Sequence, residues 1–174
     1  MKIAIALAWV LAAGIAAQSI DNGKGYPPVP DAYIQAKEKI FSEASVTLSD
    51  NIEDNDLVHV LMEKWMDDCL VLLVVKKDGT ARLIDSAGRN IIASVRNAKQ
   101  RKICSAYFRD AEKAGSTVKT LLNPVPEKGR VMFYFFTVNR QYRFGNNEET
   151  LRKGNDRMYA SAQACLAEVL KAEK

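Results

Sequence analysis

The sequence predicts an α+β protein: a single antiparallel sheet built from two hairpins, with helices on both of its faces. Three observations carry that expectation. The stretches Cys69 to Val75 (CLVLLVV) and Val131 to Val138 (VMFYFFTV) are apolar without alternation, as expected of strands covered on both faces. Each is followed by a turn signal, Asp78-Gly79 and Asn139-Arg140, and then by a more polar return strand. Between and around these hairpins, apolar residues recur at helical spacing, which supplies the layers such a sheet needs.

Taken in order, Met1 to Ala17 (MKIAIALAWVLAAGIAA) has a cation at Lys2, an apolar run from Ile3 to Ala13 and small residues after it. That is the layout of a secretory signal peptide, with residues 1–16 removed and Ala17 as the new first residue. The run is shorter than the ~20 apolar residues a spanning helix needs, so no stable membrane span is expected after cleavage. Residues 17–30, rich in glycine and proline (SIDNGKGYPPVP from Ser19), read as a flexible leader, and 31–174 as one globular domain.

Within that domain Asp31 stands as an N-cap before Tyr33, Ala36, Ile40, Phe41 and Ala44, the apolar stripe of a first helix. A second helix is expected from about Asp54 to Asp67, with Leu57, Val58, Leu61 and Trp65 on one side and Glu63, Lys64 and Asp67 on the other. The first hairpin follows. Its Asp78-Gly79 turn is expected to be type I′, with positive φ at both positions, and its return strand runs from Thr80 to Asp85. The segment Ile91 to Ala114 reads as a third helix with a basic face, its first residues open to a strand reading, and Gly115 closes it. After the second hairpin, whose return is Gln141 to Phe144, a last helix from about Asp156 to Lys171 buries Met158, Ala162, Cys165, Leu166, Val169 and Leu170. In its order of elements the chain is similar to profilin-like, roadblock and PAS-like domains, a resemblance of topology without any shared motif.

The chemistry is restricted. With 174 residues, 48% hydrophobic, 26% charged and a net charge of +4, the chain can build a core but sets up no strong field for nucleic acid. One histidine and three scattered cysteines do not make a zinc site, and His59 lacks the second histidine of a zincin. Neither phosphate-cradling glycine motif nor a Gly-x-Ser-x-Gly elbow occurs, so no metal, cofactor or catalytic residue is assigned. The carboxylate doublets Asp67-Asp68 and Glu148-Glu149 read as capping or solvated pairs. On a helix His59 and Glu63 would share a face, with His59 a packing residue.

Export places Cys69, Cys104 and Cys165 in an oxidising compartment, where one disulfide and one free thiol are expected, Cys104 and Cys165 being favoured because both sit on helical apolar stripes. The functional expectation is an exported, periplasmic or extracellular, non-catalytic binding or inhibitor-like module acting on a protein partner of acidic character. Its candidate surface comprises Arg101, Lys102, Arg109, Arg140, Tyr142, Arg143 and Arg157, the cations steering and the tyrosine anchoring. Two alternatives stand beside it: a sensor-like domain that takes a small apolar ligand near Trp65, Phe133 and Phe135, and a small secreted hydrolase using His59 with Cys69 or an acidic residue.

Overall fold

The structure is a computed structural model that describes residues 27–45, 56–93, 98–114, 125–137 and 141–171. The expected signal segment and most of the leader, the Asn139-Arg140 turn and Gly115 lie outside the described residues. In chain order the elements are α1 (Asp31–Ser45), β1 (Leu57–Met66), β2 (Cys69–Lys76), β3 (Ala81–Asp85), β4 (Asn90–Ala93), α2 (Ala98–Ala114), β5 (Arg130–Thr137), β6 (Gln141–Asn147), α3 (Glu148–Lys153) and α4 (Arg157–Lys171).

The strands form one antiparallel sheet in the order β4-β3-β2-β1-β5-β6, with helices on both faces. On one face, α2 and α4 lie side by side over Val60, Met62, Leu73, Leu83 and Phe133. On the other, α1 packs Tyr33, Ile40, Phe41 and Ala44 against Leu61, Leu72, Tyr134 and Phe136. Val29 and Val125 sit at the margin of that second core, and the Trp65 indole N–H donates to the Pro126 carbonyl at 2.7 Å. The α+β class is as expected; the order of elements of profilin-like, roadblock and PAS-like domains is not shown.

The sheet is larger than two hairpins. The segment expected as a second helix, from Asp54 to Asp67, is instead the central strand β1, flanked by β2 and β5. Its sequence, LVHVLMEKWM, places apolar residues on both faces and is joined to β2 by the two-residue turn Asp67-Asp68, with Asp67 at φ 53°. Helical spacing of Leu57, Leu61 and Trp65 is therefore incidental; a strand buried on both faces shows no period. Of the segment expected as a third helix, Ala98–Ala114 is helical, and its first residues take the strand alternative, Asn90–Ala93 adding a strand to the sheet edge. The short helix α3 has no counterpart in the sequence reading; its N-cap is Asn147, whose side chain accepts from the N–H groups of Glu149 and Thr150. Asp156 caps α4 as expected, accepting from Tyr159 N–H at 2.7 Å.

The Asp78-Gly79 turn also differs from expectation. Lys76 N–H donates to Thr80 O and Gly79 N–H to Lys76 O, each at 2.9 Å, and φ is positive at Gly79 (83°) but not at Asp78. This is a three-residue loop ending in a left-handed residue, not a type I′ turn. A Cβ on Gly79 would stand 3.0 Å from Ser105 Oγ and 3.3 Å from Arg101 Cγ, so the hairpin tip rests directly on α2. Strain in the left-handed region and this close approach act together. Gly79→Ala is expected to lower unfolding stability by about 1–3 kcal/mol, read as a reduced urea midpoint at unchanged slope.

Candidate functional site

Sheet and helices place the sequence-predicted surface residues on two different sides of the protein. Arg101, Lys102 and Arg109 are exposed on α2 and have no ion-pair partner among the described residues. At 3.6 residues per turn these three and Lys113 fall within an arc of roughly 120°, which they share with Glu112. Their helix is held in place by its buried side, Cys104, Tyr107, Phe108 and Ala111. Asp110, the other carboxylate of the last turns, is drawn away from this arc by the exposed Arg157 of α4, whose Nε lies 3.0 Å from Asp110 Oδ1. Arg157 thus serves as a clamp between α2 and α4 rather than as an unpaired cation.

The remaining members of the predicted surface lie elsewhere. Tyr142 and Arg143 are half-buried neighbours on the edge strand β6, so they point to opposite faces of the sheet. Tyr142 packs beside the α2–α4 core, whereas Arg143 is paired across the ladder with Tyr134, under α1. One guanidinium nitrogen of Arg143 is buried without a hydrogen-bond partner. Arg140 falls outside the described residues.

The candidate catalytic groups are kept apart. His59 on β1 stands opposite Lys76 of β2 and Phe136 of β5. Cys69 pairs with Met66, seven residues further along β1, or roughly 23 Å away at strand rise. Glu63, four residues from His59, lies on the same face of a strand at roughly 13 Å, not one helical turn away. His59 is only 6% exposed, its Nδ1 has no hydrogen-bond partner, and burial together with the nearby Lys76 ammonium lowers its pKa to about 4. It is a neutral imidazole at neutral pH.

Two polar clusters were not foreseen. Under α1, the fully buried Glu63 accepts from the Tyr33 hydroxyl at 2.8 Å, the Lys37 ammonium at 2.6 Å and the Tyr134 hydroxyl at 2.7 Å. Lys37 Nζ also donates to the Tyr134 oxygen at 3.2 Å and sits over the Phe41 and Tyr134 rings. Burial, and then the Glu63 charge, push both tyrosine hydroxyls well above their usual range, so they act as donors. On the opposite face, Glu148 Oε1 accepts from Lys64 at 2.5 Å, from Arg152 at 2.7 Å and from the Tyr159 hydroxyl. Burial alone would raise the Glu148 carboxyl, but the hydrogen bonds from Lys64 and Tyr159 outweigh it and hold the group low. Each carboxylate is held by three donors from other parts of the chain, an arrangement suited to fixing the elements around it. A signal was present for both: Lys37 interrupts the stripe Tyr33, Ile40, Phe41, Ala44, and Glu63-Lys64 interrupts an otherwise apolar run.

The doublet Glu148-Glu149 opens α3, and Asp68 of the other doublet pairs with Lys128 at 2.6 Å. Among the described residues, no group of three or more His, Cys, Asp or Glu side chains is arranged to hold a metal ion, and no helix is long and apolar enough to cross a membrane. The two favoured cysteines are brought together: Cys104 and Cys165, both buried, have their sulfur atoms 2.8 Å apart between α2 and α4. No family model, curated protein or solved structure matches the chain.

Proposed function

We propose that the chain is an exported, non-catalytic binding or inhibitor-like module that engages an acidic protein partner through the outer face of α2. The observation that carries this reading is the set of exposed cations Arg101, Lys102 and Arg109, unpaired among the described residues, on a helix whose opposite side is anchored in the core. The buried carboxylates Glu63 and Glu148, by contrast, are each held by cations and hydroxyls of the protein itself. Exposed, unpaired charge on a rigid element speeds encounter and selects for complementary charge. Export rests on the Met1 to Ala17 segment and on cleavage before Ala17. In a periplasmic or extracellular setting, one intramolecular disulfide and one free thiol belong to the same reading.

The test has two parts. N-terminal sequencing of the exported protein should give a start between Ala17 and Ile20; intact Met1 in that fraction would rule out cleavage. Affinity capture from the cell's own envelope or secreted fraction should then retain a stoichiometric partner on the native protein. With Arg101→Glu, Lys102→Glu and Arg109→Glu combined, retention should fall at least tenfold at ~0.15 M salt, since the field of exposed charges extends about 8 Å under those conditions. Equal capture by the folded variant would remove α2 from the proposal.

A further inference from the structure

We propose that Cys104 and Cys165 close into a buried disulfide that staples α2 to α4, leaving Cys69 as the free thiol. The inference deepens the reading of an exported module, but its geometry stands independently of where the protein resides. The two sulfur atoms are 2.8 Å apart, and forming the bond at 2.03–2.05 Å asks for about 0.8 Å of further approach. Both residues occupy the buried sides of helices that lie next to each other on one face of the sheet, so no layer intervenes. Cys69 is on the first residue of β2, half-buried, with its sulfur 3.5 Å from Ser86 Oγ rather than beside another thiol.

The hydrogen bond between the two thiols eases loss of one proton from the pair, and either sulfur, Cys104 for instance, can begin the exchange. With a glutathione disulfide as oxidant, the Cys104 thiolate attacks one glutathione sulfur and forms a mixed disulfide, releasing one glutathione thiolate that takes up the proton. The Cys165 thiol then loses its proton, attacks the Cys104 sulfur and displaces the second glutathione as its thiol. The two electrons lost by the cysteine pair reduce one glutathione disulfide to two thiols. Because Cys104 is 3% exposed and Cys165 fully buried, the oxidant reaches them before α4 has docked or during its local opening. Once α4 is seated, a reductant meets the same obstruction.

The experiment unfolds and reduces the protein recovered from its host, refolds it with oxidised and reduced glutathione, and alkylates what remains without reduction. Peptide mass spectrometry should find Cys104 linked to Cys165 and a single alkylated thiol at Cys69. The Cys69→Ser variant should form the same bridge, and Cys104→Ser and Cys165→Ser should each abolish it. Reduction of the bridge by dithiothreitol should be at least tenfold slower in native buffer than in 6 M urea. Three alkylated cysteines in the refolded protein, or a bridge to Cys69 as the dominant product, would overturn the proposal; equal reduction rates would overturn the buried location of the bond. A bridge that forms in refolding, from a protein that sequencing shows to retain Met1, would leave this inference standing while the export reading fails.

Discussion

Glu63→Leu should lower the stability of the folded protein by about 3–5 kcal/mol, the largest effect expected of any single substitution considered for this chain. The cause is the partner left behind. Lys37 is 3% exposed, and its ammonium is held by Glu63 Oε2 at 2.6 Å; without the carboxylate it keeps only the Tyr134 oxygen at 3.2 Å and the faces of two rings. An ion stranded in an apolar interior costs far more than the intact pair contributes. The hydroxyls of Tyr33 and Tyr134, at 2.8 and 2.7 Å from the same carboxylate, lose their acceptor as well. Replacing the whole cluster, with Tyr33→Phe, Lys37→Met, Glu63→Leu and Tyr134→Phe together, should recover most of the loss, because no polar group of the cluster is then left behind without its partner. Urea denaturation of the single and fourfold variants distinguishes the two effects. A single variant within ~1 kcal/mol of the parent would show that the cluster is not buried as described.

The second large effect is on pH dependence and comes from His59. Its pKa falls from 6.5 to about 4 on folding, chiefly through burial and secondarily through Lys76, with Asp78 and Glu43 acting weakly in the other direction. The folded state therefore prefers the neutral imidazole. Its contribution is fully present above about pH 6.5 and is lost as the pH falls through 4, since the unfolded chain takes up the proton first. A shift of this size corresponds to about 3 kcal/mol between the two ends of that window. His59→Phe should keep its stability at pH 7.5 and show a flatter profile between pH 6.5 and 4.5, where most carboxylates have not yet titrated. Parallel profiles for parent and variant would contradict the buried, neutral imidazole. Capture of the partner at pH 7.5 should be unchanged in this variant, because His59 lies beneath α1 and the proposed surface lies on the other side of the sheet.

The same residues explain what the sequence did and did not reveal. β2 and β5 announced themselves because nearly every residue in CLVLLVV and VMFYFFTV is apolar, which leaves few alternatives to a strand covered twice. β1 is covered twice as well, yet Glu63 and Lys64 gave it an amphipathic look. In the sheet these two polar residues face opposite layers, and each finds a partner far away in the chain: Lys37 for Glu63, and Glu148 for Lys64. Local periodicity has no access to a pairing over 26 or 84 residues, so it treated two inward-facing charges as a solvated helix face.

Of the short elements, α3 was missed and β4 was left open between helix and strand for a related reason. β4 has four residues and α3 six, too few to show a period, and their evidence lies in the ladder with β3 and the Asn147 cap. The candidate surface was legible on α2, where the cations recur along one helix face. It was not legible on β6, since strand alternation sends Tyr142 and Arg143 to opposite sides, and Arg157 is engaged by Asp110 across a helix contact. Cys104 and Cys165 were legible as candidates because both fall on apolar stripes. Their proximity depended on α2 and α4 sharing one face of the sheet, which the sequence left open.

Hydrogen–deuterium exchange of the native protein, alone and with the captured partner, tests the binding surface most directly. Exchange should slow on binding within Ala98–Ala114, most strongly around Arg101 to Arg109, with β2, β5 and the α1 face unchanged. Slowed exchange confined to α1 or β6, or none along α2 despite stoichiometric binding, would contradict the proposed surface.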